Sequence, residues 1–194
     1  MPPPRLILAS ASPRRQSLLR EAGYAYVLAP ADIDEENHPA GLSPAELAAF
    51  LASAKAAVVA AQFPGDITLG ADTVVALGDR QLGKPADATH AREMLRSLSG
   101  TTHQVITAVA LIGPGTGFRQ SALVRSTVQM RELTDDEIDR YVAGGEWRGK
   151  AGGYGIQDDD PFVTRMAGSL SNIVGLPMEA TAELLAAAGI VPGG

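Results

Sequence analysis

The spacing of apolar positions changes period several times along the chain, and each change marks an element. "RLILAS" (5–10) is a short apolar run of the kind a buried strand carries. Ser12 and Pro13 then stand as N-cap and first residue of a helix ending before Gly23. The longest helical pattern is "SPAELAAFLASAKAAVVAAQF" (43–63), where Ser43 and Glu46 form a capping box around Pro44. Its inward stripe is expected to carry Leu47, Leu51, Lys55 and Val58. "DITLGADTVVAL" (66–77) predicts a strand, and Asp87 caps a helix with Ala91, Met94, Leu95 and Leu98 on its inner face before Gly100. "HQVITAVALIG" and "SALVRSTVQM" predict two strands joined by the hairpin loop "GPGTG", the second strand with Val124, Val128 and Met130 inward and Arg125 and Gln129 outward. Thr134 and Glu137 make a second capping box, opening a helix through Val142. Residues 144–161 are glycine-rich and weakly periodic, and 177–188 predicts a closing helix. Strands interleaved with helices, plus one hairpin, indicate an α/β fold with a mixed sheet.

Composition narrows the class. A chain of 194 residues supports one domain or two small lobes around a cleft. At 45% hydrophobic and 20% charged it has the make-up of a globular protein, and no apolar run is long enough to span a bilayer. The opening "MPPPRLIL" lacks the pattern of a secretory signal, so a cytoplasmic protein without a membrane partner is expected. The absence of cysteine fits that compartment and excludes disulfides, thiolate metal sites and a cysteine nucleophile. A net charge of −6 argues against nucleic acid as a partner, because phosphate backbones require a broad basic surface. Cations clustered within such a chain are therefore informative.

Four features depart from the pattern. Arg14 and Arg15 occupy a helix start, where a basic residue is disfavoured by about 0.3–1 kcal/mol. The free N–H groups of that start and two guanidinium forks suit a polyphosphate; the other reading has both side chains in solvent or on surface carboxylates. Lys55 lies on an apolar helix face, where it needs an anion or else snorkels to water, and its removal is expected to cost activity and not stability. Asp72 sits among Ile67, Leu69, Val74 and Val75, so it is expected to be paired, metal-bound or hydrogen-bonded to a loop, at a strand end opening on a cleft. Lys84 follows in the turn "LGKPAD", within reach of the same ligand. Finally, "DIDEE" (32–36) is either a solvated acidic loop or, through Glu35 together with Asp72, part of a site for a hard divalent cation.

The familiar nucleotide and hydrolase motifs are absent. There is no G-x-x-x-x-G-K-[ST], G-x-S-x-G or H-E-x-x-H; "GPGTGF" misses the dinucleotide fingerprint, and "DIDEE" lacks the threonine of a phosphatase strand. His38, His90 and His103 are scattered without ligand spacing, and His103 reads as a structural hydrogen-bonder. "DDD" (158–160) before Pro161 reads as a turn.

"LASASPRRQSLL", the "DIDE" edge, Lys55, "GADTVV", "GKP", "LSGTTHQVITAVAL", "GEWRGKAGGYGIQ" and "NIVGLP" occur in one order over nearly the whole chain, and together they resemble the Maf family of nucleotide pyrophosphatases. The resemblance implies a single domain over residues 1–194, with a strongly twisted mixed sheet flanked by helices and two lobes around a deep cleft. It implies hydrolysis of nucleoside triphosphates to a monophosphate and pyrophosphate, dependent on Mg²⁺ or Mn²⁺, by a possible homodimer. Carried onto this chain, it makes Asp72 the catalytic carboxylate with Lys55 and Lys84, gives phosphate binding to Ser12, Arg14 and Arg15, and gives the metal to Glu35 and Asp72. Arg14, Thr73 and Gln157 resemble the base-selecting set of the dTTP/UTP-preferring branch. Two departures, "IQDDDPF" after Gln157 and Leu170 in "GSLSNIVGLP", are expected at the base end of the cleft. Other readings are a nucleotide-binding regulator of septum formation without turnover, a pyrophosphatase of different base preference, or a phosphatase releasing orthophosphate.

Overall fold

The segments Leu6–Leu8 (β1), Val27–Leu28 (β2), Ile67–Leu77 (β3), Arg80–Leu82 (β4), Thr102–Ile112 (β5), Arg119–Met130 (β6) and Val163–Ala167 (β7) pair into one sheet. The computed structural model describes residues 3–114, 117–156 and 162–193. The strand order is β2-β1-β3-β5-β6-β7, with β4 on β3. β1 runs parallel to β2 and β3, and the remaining pairs are antiparallel, so the sheet is mixed as the pattern predicts. Helices Pro13–Glu21 (α1), Pro44–Ala60 (α2), Ala88–Leu98 (α3), Asp135–Gly144 (α4), Leu170–Val174 (α5) and Met178–Ala187 (α6) flank it. Among the described residues no helix is long and apolar enough to cross a membrane.

Local chemistry accounts for most boundaries. Both capping boxes are formed, and Asp87 accepts from the His90 N–H at 2.8 Å. Ser12 stands at the N-cap position, but its side chain makes no capping bond to the start of α1. The predicted α2 stripe needs correction. The buried face is Ala48, Leu51, Ala52, Lys55, Ala56 and Val59, whereas Val58 is 39% exposed. Alanines set that face because the helix lies close against the sheet. A Cβ on Gly70 of β3 would meet Ala52 O, Ala56 N at 2.7 Å and Ala56 Cβ at 2.9 Å, so only glycine admits this approach.

The sheet is interrupted where it matters. One edge of β3 pairs with β5 from Thr68 to Ala76. The other edge is covered by β1 only over Ile67–Leu69 and by β4 only over Val75–Leu77. Between them, at 70–74, no strand among the described residues covers that edge. Separate apolar clusters pack at the two ends of this gap. Leu8, Leu69, Ala71 and Leu111 meet Leu19 and Leu185 at one end, and Val75, Val105 and Val128 meet Leu95, Ile138 and Trp147 at the other.

Candidate active site

A cavity of about 480 Å³ opens at this uncovered stretch of β3, a size ordinary for a small-molecule site. The loop after β1 contributes Ser10 and Ser12, and the first turn of α1 contributes Arg14 and Arg15; β3 contributes Asp72 and Thr73; Glu35, Lys55 and Lys84 come from three further segments. Asp72 thus lies mid-strand, not at the strand end expected from sequence. The missing edge partner, not a strand terminus, gives it access to the cavity.

Lys55 joins the two carboxylates. Its Nζ lies 2.6 Å from Asp72 Oδ1 and 2.7 Å from Glu35 Oε1. Lys55 is 7% and Asp72 6% exposed, which excludes the snorkelling reading and makes Asp72 a paired carboxylate, while Glu35 leaves the solvated-loop reading through its bonds to Lys55 and Lys84. Lys84 Nζ closes the chain at 3.0 Å from Glu35 Oε2. Partial burial pushes the Glu35 carboxyl up, but hydrogen bonds and charge from Lys55, then Lys84, outweigh it and hold the group at about 2. The close α2–β3 contact makes this geometry possible, since Gly70 and Asp72 share one face of β3 while Ala52, Lys55 and Ala56 share one face of α2.

The two arginines behave differently. Arg15 Nε donates to Gly175 O at 2.8 Å, Nη1 to Ser10 Oγ at 3.0 Å and Nη2 to Thr73 Oγ1 at 3.2 Å. Burial pushes its guanidinium down, and it retains two of its five N–H donors beyond these bonds. Thr73 Oγ1 also lies 3.0 Å from Thr107 Oγ1, which donates to Asn172 O at 3.1 Å. Arg14 reaches across the cleft, its Nη2 donating to Gly149 O at 3.1 Å. Arg148 and Lys150 line the cavity on that side. Sequence reasoning gave neither a role, because their segment carries no periodic pattern that places it.

The predicted residues therefore gather, with two exceptions. Gln157 and the acidic run 158–160 lie outside the described residues. Leu170, expected at the base end, begins α5, is 54% exposed and does not line the cavity. The carboxylates also fit a divalent cation in a limited way. Asp72 Oδ1 and Glu35 Oε1 converge on the Lys55 ammonium, so a divalent cation would sit beside that ammonium and share the two carboxylates with it. No group of three or more His, Cys, Asp or Glu side chains able to hold a metal occurs among the described residues. A pair of carboxylates matches Mg²⁺, which takes its other ligands from water and substrate phosphate, and does not match an all-protein cage.

Fold and cleft together define an α/β protein in which cationic side chains from distant segments ring two carboxylates at an open strand edge. The sequence profile described as Maf-like protein matches residues 5–188, and the chain belongs to the Maf family. The dTTP/UTP pyrophosphatase of Cereibacter sphaeroides is 51% identical over 187 residues, 95% of each chain. That of Hyphomonas neptunium is 53% identical over 182 residues, 93% of each. Among solved structures, the Staphylococcus aureus Ham1 protein aligns with a TM-score of 0.43 and 15% identity, over 67% of this chain and 72% of that one.

Proposed function

We propose that this chain acts as one catalytic domain that hydrolyses nucleoside triphosphates, with dTTP and UTP preferred, to a nucleoside monophosphate and pyrophosphate. The observation that carries this reading is the Asp72–Lys55–Glu35–Lys84 chain at the rim of a cavity also lined by Arg14, Arg15, Arg148 and Lys150. The names of the relatives support the substrate class.

A triphosphate brings roughly four negative charges, and phosphoryl hydrolysis is largely a matter of positioning and charge stabilisation. The uncapped start of α1 offers N–H groups, and Arg14 offers a guanidinium beside them. Arg15 holds Thr73 and Ser10 in place and has N–H donors left for an anion. Lys84, half-exposed and tethered by Glu35, is placed to follow the leaving pyrophosphate. Asp72 and Glu35 would hold a Mg²⁺ or Mn²⁺ ion. When bound, such an ion polarises the phosphate and lowers the pKa of coordinated water. Lys55 fixes Asp72 through Oδ1, leaving Oδ2 to take the proton from the water that attacks the α-phosphorus. The bond from that phosphorus to the bridging oxygen breaks, and pyrophosphate departs. Arg14, Thr73 and Gln157 are assigned to base choice, with Thr73 acting through its bonds to Arg15 and Thr107.

A panel of triphosphates assayed with Mg²⁺ and Mn²⁺ for both pyrophosphate and orthophosphate tests the reading. Pyrophosphate released fastest from dTTP and UTP is expected. Orthophosphate as product, equal rates with CTP or GTP, or binding of UTP without any turnover would each overturn a stated part of it.

A further inference from the structure

We propose that His103 and Tyr154 form a positioning pair that fixes the glycine-rich wall of the cleft and thereby sets the affinity for the nucleotide. The proposal rests on the pyrophosphatase reading, since it deepens the description of the same cleft.

The wall is the segment "WRGKAGGYGI" (147–156), which lines the cavity through Arg148, Gly149, Lys150, Ala151 and Tyr154. Gly149, Gly152 and Gly153 have φ values of 69°, 72° and 76°, so the backbone takes a path other residues resist. Glycines also supply no side chains to hold that path. Two aromatic rings, one near each end, do so instead. Trp147 is buried and its Nε1–H donates to Val142 O at 3.0 Å, tying one end to α4. Tyr154 is buried at the other end. Its hydroxyl lies 2.6 Å from His103 Nε2 on β5, and the rings meet edge to face with centroids 5.4 Å apart. Between these anchors the Gly149 carbonyl accepts from Arg14, so the wall's position also governs where that guanidinium points.

His103 is 2% exposed, and its Nδ1 has no hydrogen-bond partner. A buried ring nitrogen without a partner costs free energy that an apolar residue in the same place would not. The bond to Tyr154 is the compensating gain. Burial also pushes the imidazole down to about 4, so the ring stays neutral at ordinary pH and the tie is not switched off by protonation. Tyr154 belongs to the wall and its hydroxyl is bonded to His103, which does not line the cavity, so the pair acts on substrate through Arg14, Arg148 and Lys150.

The test uses the full chain and compares Tyr154→Phe, His103→Phe and the double variant, all of which keep ring packing. Three readouts are taken: KM and kcat for Mg·UTP by pyrophosphate release, the thermal midpoint, and acrylamide quenching of Trp147, the one tryptophan of the chain. Loss of the tie should raise KM about 5- to 20-fold with kcat within about two-fold, because contacts equal in ground and transition states are weakened. Quenching of Trp147 should rise without any nucleotide present, and the double variant should be no worse than either single one. A lowered midpoint with unchanged KM and unchanged quenching overturns the proposal, as do additive effects. If the unaltered protein hydrolyses no triphosphate, the pyrophosphatase reading fails. The quenching comparison still decides whether the pair orders the wall.

Discussion

Lys55 stands at the centre of the site as the shared counter-charge of Asp72 and Glu35. That position revises the expectation that its removal would spare stability. Lys55→Met would leave Asp72 buried without its cation, and breaking a buried pair on one side costs on the order of 3–5 kcal/mol. Asp72→Asn is milder, because Glu35 still partners Lys55 at 2.7 Å. We expect Asp72→Asn to lower pyrophosphate release by about 10²- to 10⁴-fold, the usual worth of a general base. Lys55→Met should lower both the rate and the melting temperature. The double variant should recover much of the stability and none of the rate. Near wild-type turnover in Asp72→Asn at saturating metal would remove this carboxylate from the chemistry. Lys55 and Asp72 were legible in the sequence because each is a charge where the apolar period demands a hydrophobe. Arg148, Lys150 and the Tyr154–His103 bond were not, because nothing local encodes a contact between residues 51 positions apart.

At the scale of elements, the site depends on how near α2 approaches β3. Gly70 is the point of contact, and a methyl there would press into the backbone of α2 at Ala52 and Ala56. Gly70→Ala should therefore push α2 outward and carry Lys55 away from Asp72, although neither site residue is altered. Overpacking of this kind costs about 1–3 kcal/mol, and a fall in kcat larger than the stability loss would explain at the assay temperature is expected. A variant with a lowered melting temperature and unaltered kcat would show that the approach serves packing alone. The long elements were readable because they carry several periods or a capping box. Residues 27–28, 80–82, 163–167 and 170–174 were missed, since two to five residues contain no period, and their pairing is decided by strands far away in sequence. The stripe of α2 was misread by favouring large apolar residues, whereas a close helix–strand contact selects alanine.

For the molecule as a whole, a net charge of −6 surrounds a local cationic cleft. Two of its groups make stability fall in acid. His103 is neutral in the fold down to about 4 against an ordinary 6.5, so the unfolded chain binds the extra proton between those values and stability drops as pH falls through them. Glu35, held at about 2 against 4.5, adds a further loss between those values, moderated by its partial exposure. The melting temperature should decline from pH 7 downward, and His103→Phe should flatten the slope between pH 6.5 and 4; an unchanged slope would deny the buried neutral imidazole. The mixed α/β architecture was legible from alternating elements, but the open edge of β3 was not, because it arises from where β1 stops and β4 begins.

That open edge brings carboxylates and cations around one triphosphate, and the position of bond cleavage tests the arrangement most directly. Hydrolysis of Mg·UTP in ¹⁸O-water, read by mass spectrometry, should place one labelled oxygen in the monophosphate and none in the pyrophosphate. Label confined to pyrophosphate, or appearing in orthophosphate, would contradict attack at the α-phosphorus and with it the role assigned to Asp72.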